Sequence, residues 1–290
     1  MANNICCATY CGGGARIECS CACFCHSTWC CDSAECGGGL LLTCGSTGCL
    51  CDCNSFCNNT ATCAGGAIRL GGQSYLIAAG NGNGSSDCLT IDSNCSTYGG
   101  GIYQQGCSCT CLQNFGITSN CANCYGGGFY TQGRSCFDLC CGKFECNCAQ
   151  YGGGIYATSA CSGCIYCVDF CCNCADSSVS ESTSSCYGSG GGIRMQCNSN
   201  VNVNDSCFTE NCAGMFGGGM FVSNSSASGQ GRLSLRSSSS STGYQHCNKP
   251  APCIYQSGWT RHRHSLQCTS HWQYGSRCFR QRGTMSCRRN

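Results

Sequence analysis

"YGGGIY" occupies Tyr98–Tyr103 and returns at Tyr151–Tyr156, with "YGGGFY" between them at Tyr125–Tyr130. Three glycines held between the same aromatics at nearly equal intervals are the mark of a repeat architecture. The third small residue of each glycine block falls at Gly14, Gly39, Ala67, Gly101, Gly128, Gly154, Gly192 and Gly219, giving intervals of 25, 28, 34, 27, 26, 38 and 27. The two long intervals hold insertions, "AAGNGNGSS" around Gly80–Ser86 and "DSSVSESTSS" at Asp176–Ser185, which read as loops bulging from a regular coil.

A second motif keeps step with the glycines. It reads apolar-x-x-Asn-x-Ala and appears at Phe56/Asn59/Ala61, Ile117/Asn120/Ala122, Phe144/Asn147/Ala149, Phe170/Asn173/Ala175 and Phe208/Asn211/Ala213. Ile91/Asn94/Ser96 and Trp29/Asp32/Ala34 are variants of it. After each glycine block comes a short alternating segment such as Ile102-Tyr103 or Ile193-Arg194-Met195, the pattern of a strand with one residue in and the next out. Helical periodicity is absent, and Gly and Ser are too frequent for stable helices.

Short strands, an Asn corner and a glycine corner, recurring about every 26 residues, predict an all-β right-handed parallel β-helix of about eight coils over residues 1–229. Rungs would stack roughly 4.8 Å apart. Asn59, Asn94, Asn120, Asn147, Asn173 and Asn211 are the expected corner residues, because a short amide tolerates left-handed geometry and can bond to the Asn above and below. Glycine suits the other corner, where positive φ costs it nothing and a side chain would crowd the next rung.

The chain carries 43 Gly, 43 Cys, only 2 Pro and 10% charged residues. No run of about 18 apolar residues predicts a transmembrane helix, and "MANNICCATYC" has neither the basic start nor the apolar stretch of a signal peptide. Residues 1–229 hold all 13 acidic side chains against five basic ones, a net of −8, whereas 230–290 hold ten basic and no acidic residues, a net of +10. The first apolar position of the motif is missing at the start, and none follows Phe221–Val222. The sequence therefore reads as part of a longer chain, with 230–290 a basic Ser/Arg-rich tail, irregular or disordered and translated out of frame. The rival reading is a genuine basic tail that binds anionic glycans, membrane or nucleic acid. Nucleic acid is not an expected partner.

Of the cysteines, 38 precede residue 230, and many alternate, as in "CSCACFC" at Cys19–Cys25. Spacing by two puts them on one face of a strand. Another column lies between Asn and Ala, namely Cys95, Cys121, Cys148, Cys174 and Cys212, and stacking would make it a vertical ladder. Three readings stay open: buried thiols packing as small hydrophobes, disulfides formed in an oxidising compartment, or a mixture. A wholly bonded ladder looks awkward, because side chains of parallel rungs sit about 4.8 Å apart while a disulfide wants Cβ atoms near 3.8 Å. The Cys-x-Cys and Cys-x-x-Cys spacings also suit metals, yet no single four-ligand constellation stands out, and neither a metal nor another cofactor is expected.

The body offers little for catalysis. Its acidic residues are scattered singly, and it contains one histidine (His26) and one lysine (Lys143). Glycoside cleavage needs converging carboxylates. The outward residues after the glycine corner are a better candidate site: Arg69, Tyr103, Tyr130, Tyr156 and Arg194 would align as aromatics flanked by arginines, suited to sugar rings or a protein surface. Stacked tyrosines also stabilise neighbouring strands by themselves. Five Asn-x-Ser/Thr sequons occur, at Asn58, Asn83, Asn94, Asn204 and Asn224.

"FCNNTATCAGGAI" (Phe56–Ile68) joins F-x-x-N and G-G-A-I, and "FTENCAGMFGGGM" (Phe208–Met220) nearly does. Over roughly residues 4–229 the chain resembles the repeats of chlamydial polymorphic outer membrane proteins and their protist counterparts. The resemblance implies a right-handed β-helix exposed at a cell surface and used in adhesion. The expected function is thus a non-catalytic cell-surface or secreted adhesin or scaffold that binds host or matrix glycans or surface proteins. A carbohydrate-active β-helix enzyme and a structural fibre are the alternatives.

Overall fold

A computed structural model describes residues 10–79, 89–176 and 188–228, with two short strands beyond them, Ser234–Arg236 and Ile254–Ser257. All the described regular elements are strands and every pairing is parallel, so the chain is a parallel β-solenoid. Each coil runs through three faces. The first holds the strand after the glycine block, from Ala15–Glu18 through Leu40–Thr43, Ile68–Leu70, Ile102–Gln104, Phe129–Thr131, Ile155–Ala157 and Ile193–Gln196 to Met220–Ser223. Those eight passes enclose about seven complete turns. The second face is long and bent, carrying two strand columns that fuse in Cys136–Glu145 and Ser162–Cys171. The third is short, from Ser33–Cys36 to Cys212–Ala213.

Alternation sends every second side chain into one continuous core. Leu40, Ile68, Ile102, Phe129, Ile155, Ile193 and Met220 line it from the first face, and Phe56, Ile91, Ile117, Phe144, Phe170 and Phe208 from the second. Identical residues thereby become vertical neighbours: the Phe144 and Phe170 rings stack at 5.1 Å, and Phe170 and Phe208 at 4.6 Å. A small polar network of Gln104, Thr110 and Thr131 is built into this core. Gln104 is fully buried, donates to the carbonyls of Ser108 (3.1 Å) and Cys136 (2.8 Å), and accepts from the Thr110 hydroxyl.

The three glycines answer to three separate constraints, seen at Gly126–Gly128. Gly126 has φ +64°, a region a Cβ disfavours. A Cβ on Gly127 would lie 2.4 Å from the Cys148 carbonyl oxygen and 2.5 Å from that of Gly153, on the next rung. At Gly128 it would meet the Gly154 oxygen at 2.8 Å and the Phe144 ring at 2.9 Å. The third place is the one at which the sequence carries an alanine, Ala67.

The Asn corner makes the expected bonds to the Asn above and below, but the left-handed geometry falls on a different residue. The left-handed residue is the one before each Asn: Asn58, Ser93, Ser119, Cys146, Cys172 and Glu210 have φ between 54° and 58°. The Asn amide instead turns inward, since a left-handed residue points its own side chain to solvent. Asn120 Oδ1 accepts from the backbone N–H of Asn94 at 3.0 Å and from Asn94 Nδ2 at 2.9 Å, while Asn120 Nδ2 donates to the Ile91 carbonyl (2.9 Å) and to Asn147 Oδ1 (3.0 Å). The same links join Asn59 to Asn94, Asn147 to Asn173 and Asn173 to Asn211. Asn94 is fully buried, so its sequon is closed to glycosylation, whereas Asn58 and Asn224 are exposed.

The two insertions and the sequon at Asn83 fall outside the described residues apart from Ala78, Ala79 and Asp176. Within 230–290, Ser234–Arg236 pairs with Cys207–Thr209 and Ile254–Ser257 with Met220–Ser223. Those two segments of the tail thus extend the sheets, each pairing in parallel with an open strand edge. The remainder of the tail lies outside the described residues.

Candidate functional site

The outward column of the first face is Arg16, Leu41, Arg69, Tyr103, Tyr130, Tyr156, Arg194 and Phe221, each in direct register with the next. The sequence-predicted residues Arg69, Tyr103, Tyr130, Tyr156 and Arg194 are therefore stacked. They are not an open stripe. Tyr103, Tyr130 and Tyr156 are only 7%, 6% and 3% exposed.

What covers them is the aromatic that opens each glycine block. Tyr98, Tyr125 and Tyr151 end strands of the third face, pair in register with one another, and remain partly exposed. Because the glycine corner bends sharply and carries no side chains, the two tyrosine columns lean together across it. Tyr125 stacks on Tyr156 at 4.9 Å and lies 5.8 Å from Tyr130; Tyr103 and Tyr130 are 5.2 Å apart. The result is a second apolar cluster outside the core, joined by Cys36 and Ala64. Reading only the strand after the glycines misses the outer row, although the first Tyr of every "YGGG" block was its signal.

Arginines close both ends. The Arg194 guanidinium sits 4.2 Å from the Tyr151 ring centre, 5.5 Å from Tyr156 and 5.0 Å from Phe221, and Arg69 lies 5.7 Å from Tyr103. Arg194 donates to Gln196 Oε1 (3.0 Å) and to the Ser189 hydroxyl, yet the Nε atoms of Arg194 and Arg69 are buried without an acceptor. Burial pushes the Tyr103, Tyr130 and Tyr156 hydroxyls up, Tyr156 to about 12. Polar links follow the ridge: the Tyr103 hydroxyl donates to Gln105 Oε1 at 2.7 Å and accepts from Gln132 Nε2 at 2.6 Å, and the Tyr130 hydroxyl donates to Gln132 Oε1 at 2.8 Å.

The cysteine ladder is also in register, Cys95 on Cys121, Cys121 on Cys148, Cys148 on Cys174 and Cys174 on Cys212. A hydrogen bond with Cys121, followed by burial, pushes the Cys95 thiol up. At Cys148 the bond with Cys121 pulls down, while the bond with Cys174 and burial push up, leaving it near 12. Such thiols are poor nucleophiles at neutral pH. Elsewhere Cys30–Cys57 and Cys109–Cys136 are disulfides between adjacent rungs, each with a Cα separation of 4.7 Å, and Cys164 and Cys212 are also disulfide-bonded. Cross-rung bonding, awkward by Cβ spacing alone, is accommodated because 4.7 Å lies within the Cα range a disulfide spans.

Among the described residues no group of three or more His, Cys, Asp or Glu side chains is placed to hold a metal, and no helix is long and apolar enough to cross a membrane. Comparison with protein-family models, curated proteins and solved structures finds no match to this chain.

Proposed function

We propose that this chain is a non-catalytic adhesion or scaffold module of a cell surface or secreted assembly, and that the tyrosine–arginine ridge is its contact surface for a glycan or protein partner. The observation that carries this reading is the ridge itself. It stands outside the core, spans successive rungs, and combines half-exposed aromatic faces with guanidinium groups whose Nε donors lack acceptors. Rings and planar donors of this kind suit sugar faces and protein hot spots. Cross-rung disulfides support an oxidising compartment. Charged groups engaged in local pairs, Glu18 with Arg16 (2.9 Å) and Glu145 with Lys143 (3.5 Å), support a role without acid–base chemistry.

The test replaces the outer tyrosines Tyr98, Tyr125 and Tyr151 by Ser, and screens wild type and variant on arrayed neutral and acidic glycans and on cell-surface protein preparations while following thermal unfolding. Loss of binding with the fold retained supports the ridge. Binding that survives all three substitutions, or turnover of any arrayed glycan, overturns the reading.

A further inference from the structure

The cysteines are unevenly shared among the rung interfaces. Between the first described coil and the second, five cysteine pairs stand over one another: Cys11 on Cys36, Cys19 beside Cys44, Cys23 on Cys49, Cys25 on Cys51, and the bonded Cys30–Cys57. Between the second coil and the third, the strand registers place no cysteine on another: Cys49 faces Ile77, Cys51 faces Ala79, Cys57 faces Asp92 and Cys36 faces Ala64, although the Cys36 thiol does meet that of Cys63.

The first described coil is also only loosely packed. Its inward side chains Ala15, Ile17, Phe24 and Trp29 are only partly buried against the core. Phe56, at the position of Trp29 one rung on, is fully buried. Only partial apolar burial, with Trp29 stacked on Phe56 at 5.5 Å, therefore holds this coil to its neighbour, and in a solenoid each coil depends on its neighbours alone.

We propose that this interface is a disulfide clamp in which Cys19 bonds Cys44 and Cys25 bonds Cys51, alongside the existing Cys30–Cys57. Cys25 and Cys51 are direct Cα partners in adjacent parallel strands, the same relation that Cys30 and Cys57 hold, and their side chains already touch through a sulfur hydrogen bond. Cys19 and Cys44 occupy equivalent left-handed corners, φ 50° and 56°, and make the same contact. Cys19, Cys25 and Cys44 are exposed, so an external disulfide can reach each pair.

The co-reactant is a disulfide-exchange oxidant, either glutathione disulfide or an oxidised protein dithiol. The deprotonated sulfur of one cysteine attacks a sulfur of that disulfide, forming a mixed disulfide and releasing one thiol. The partner cysteine then attacks the mixed disulfide, the cross-rung S–S bond forms and the second thiol leaves. Two cysteine thiols lose two electrons, one external disulfide gains them, and the two cysteine protons end on the two released thiols. The clamp stands whether or not the ridge binds a partner.

The test uses the full chain refolded in a glutathione redox buffer, alkylated and digested without reduction. Wild type yields Cys19–Cys44 and Cys25–Cys51 linkages beside Cys30–Cys57. C51S exposes one new alkylatable thiol, at Cys25, C44S exposes one at Cys19, and the double variant C25S/C51S exposes none. Hydrogen exchange over residues 15–30 in wild type speeds up by roughly a hundredfold or more on reduction. Free Cys19, Cys25, Cys44 or Cys51 in oxidised wild type, or a new thiol at Cys23 or Cys49 in C51S, overturns the proposal.

Discussion

Asn120 shows how much one residue can carry in a stacked structure. Its amide satisfies groups of the rungs on both sides, all of them buried. Asn120→Ala leaves a backbone N–H, a carbonyl and two neighbouring amides short of partners, and is expected to cost about 3 kcal/mol or more in denaturant unfolding. The glycines separate by mechanism. Gly127→Ala drives a Cβ into two backbone oxygens and costs about 3 kcal/mol. Gly45→Ala, at φ +72° with nothing within 4 Å, costs about 1 kcal/mol for conformation alone. Equal losses for the two would refute the close-approach account. At this scale the sequence was informative about identity and less so about role. The Asn column was legible from its spacing, but which residue turns left-handed was not, since that depends on where the amide finds partners.

At the scale of the element, the ridge joins two strand columns across a corner that lacks side chains. Tyr130→Ser removes a buried ring and should cost about 3 kcal/mol, whereas Tyr125→Ser, on the half-exposed row, should cost about 1 kcal/mol. Thermal unfolding of the two single variants checks the order. The ridge also gives a pH signature. Tyr156 has its folded value raised to about 12, so the folded state holds the phenol proton after the unfolded chain has released it near 10. That stability is fully present below pH ~10 and is lost as pH rises from ~10 towards ~12. Ultraviolet titration should show Tyr103, Tyr130 and Tyr156 ionising above the ordinary tyrosine range. Ionisation of Tyr103, Tyr130 and Tyr156 near pH ~10 in the folded chain would contradict the burial.

For the whole molecule, the solenoid makes stability a sum over neighbouring coils. Removing Cys30–Cys57, which closes a separation of 27 residues, should weaken its coil by about 3.5 kcal/mol in the chain-entropy estimate. The loss should stay local: hydrogen exchange in C30S/C57S rises in the first two coils while Phe129–Thr131 and Ile155–Ala157 keep their protection. Uniform loss along the chain would show a single cooperative unit instead. By itself the sequence determined the parallel all-β coil, its period and the columns of Asn, Cys and Tyr, because stacking converts equal spacing along the chain into vertical contact. Only the tertiary structure decided that the inner tyrosines are covered, that Asn faces inward, and which cysteines meet. Those outcomes depend on how faces lean together across a corner, and residues far apart in sequence set that angle.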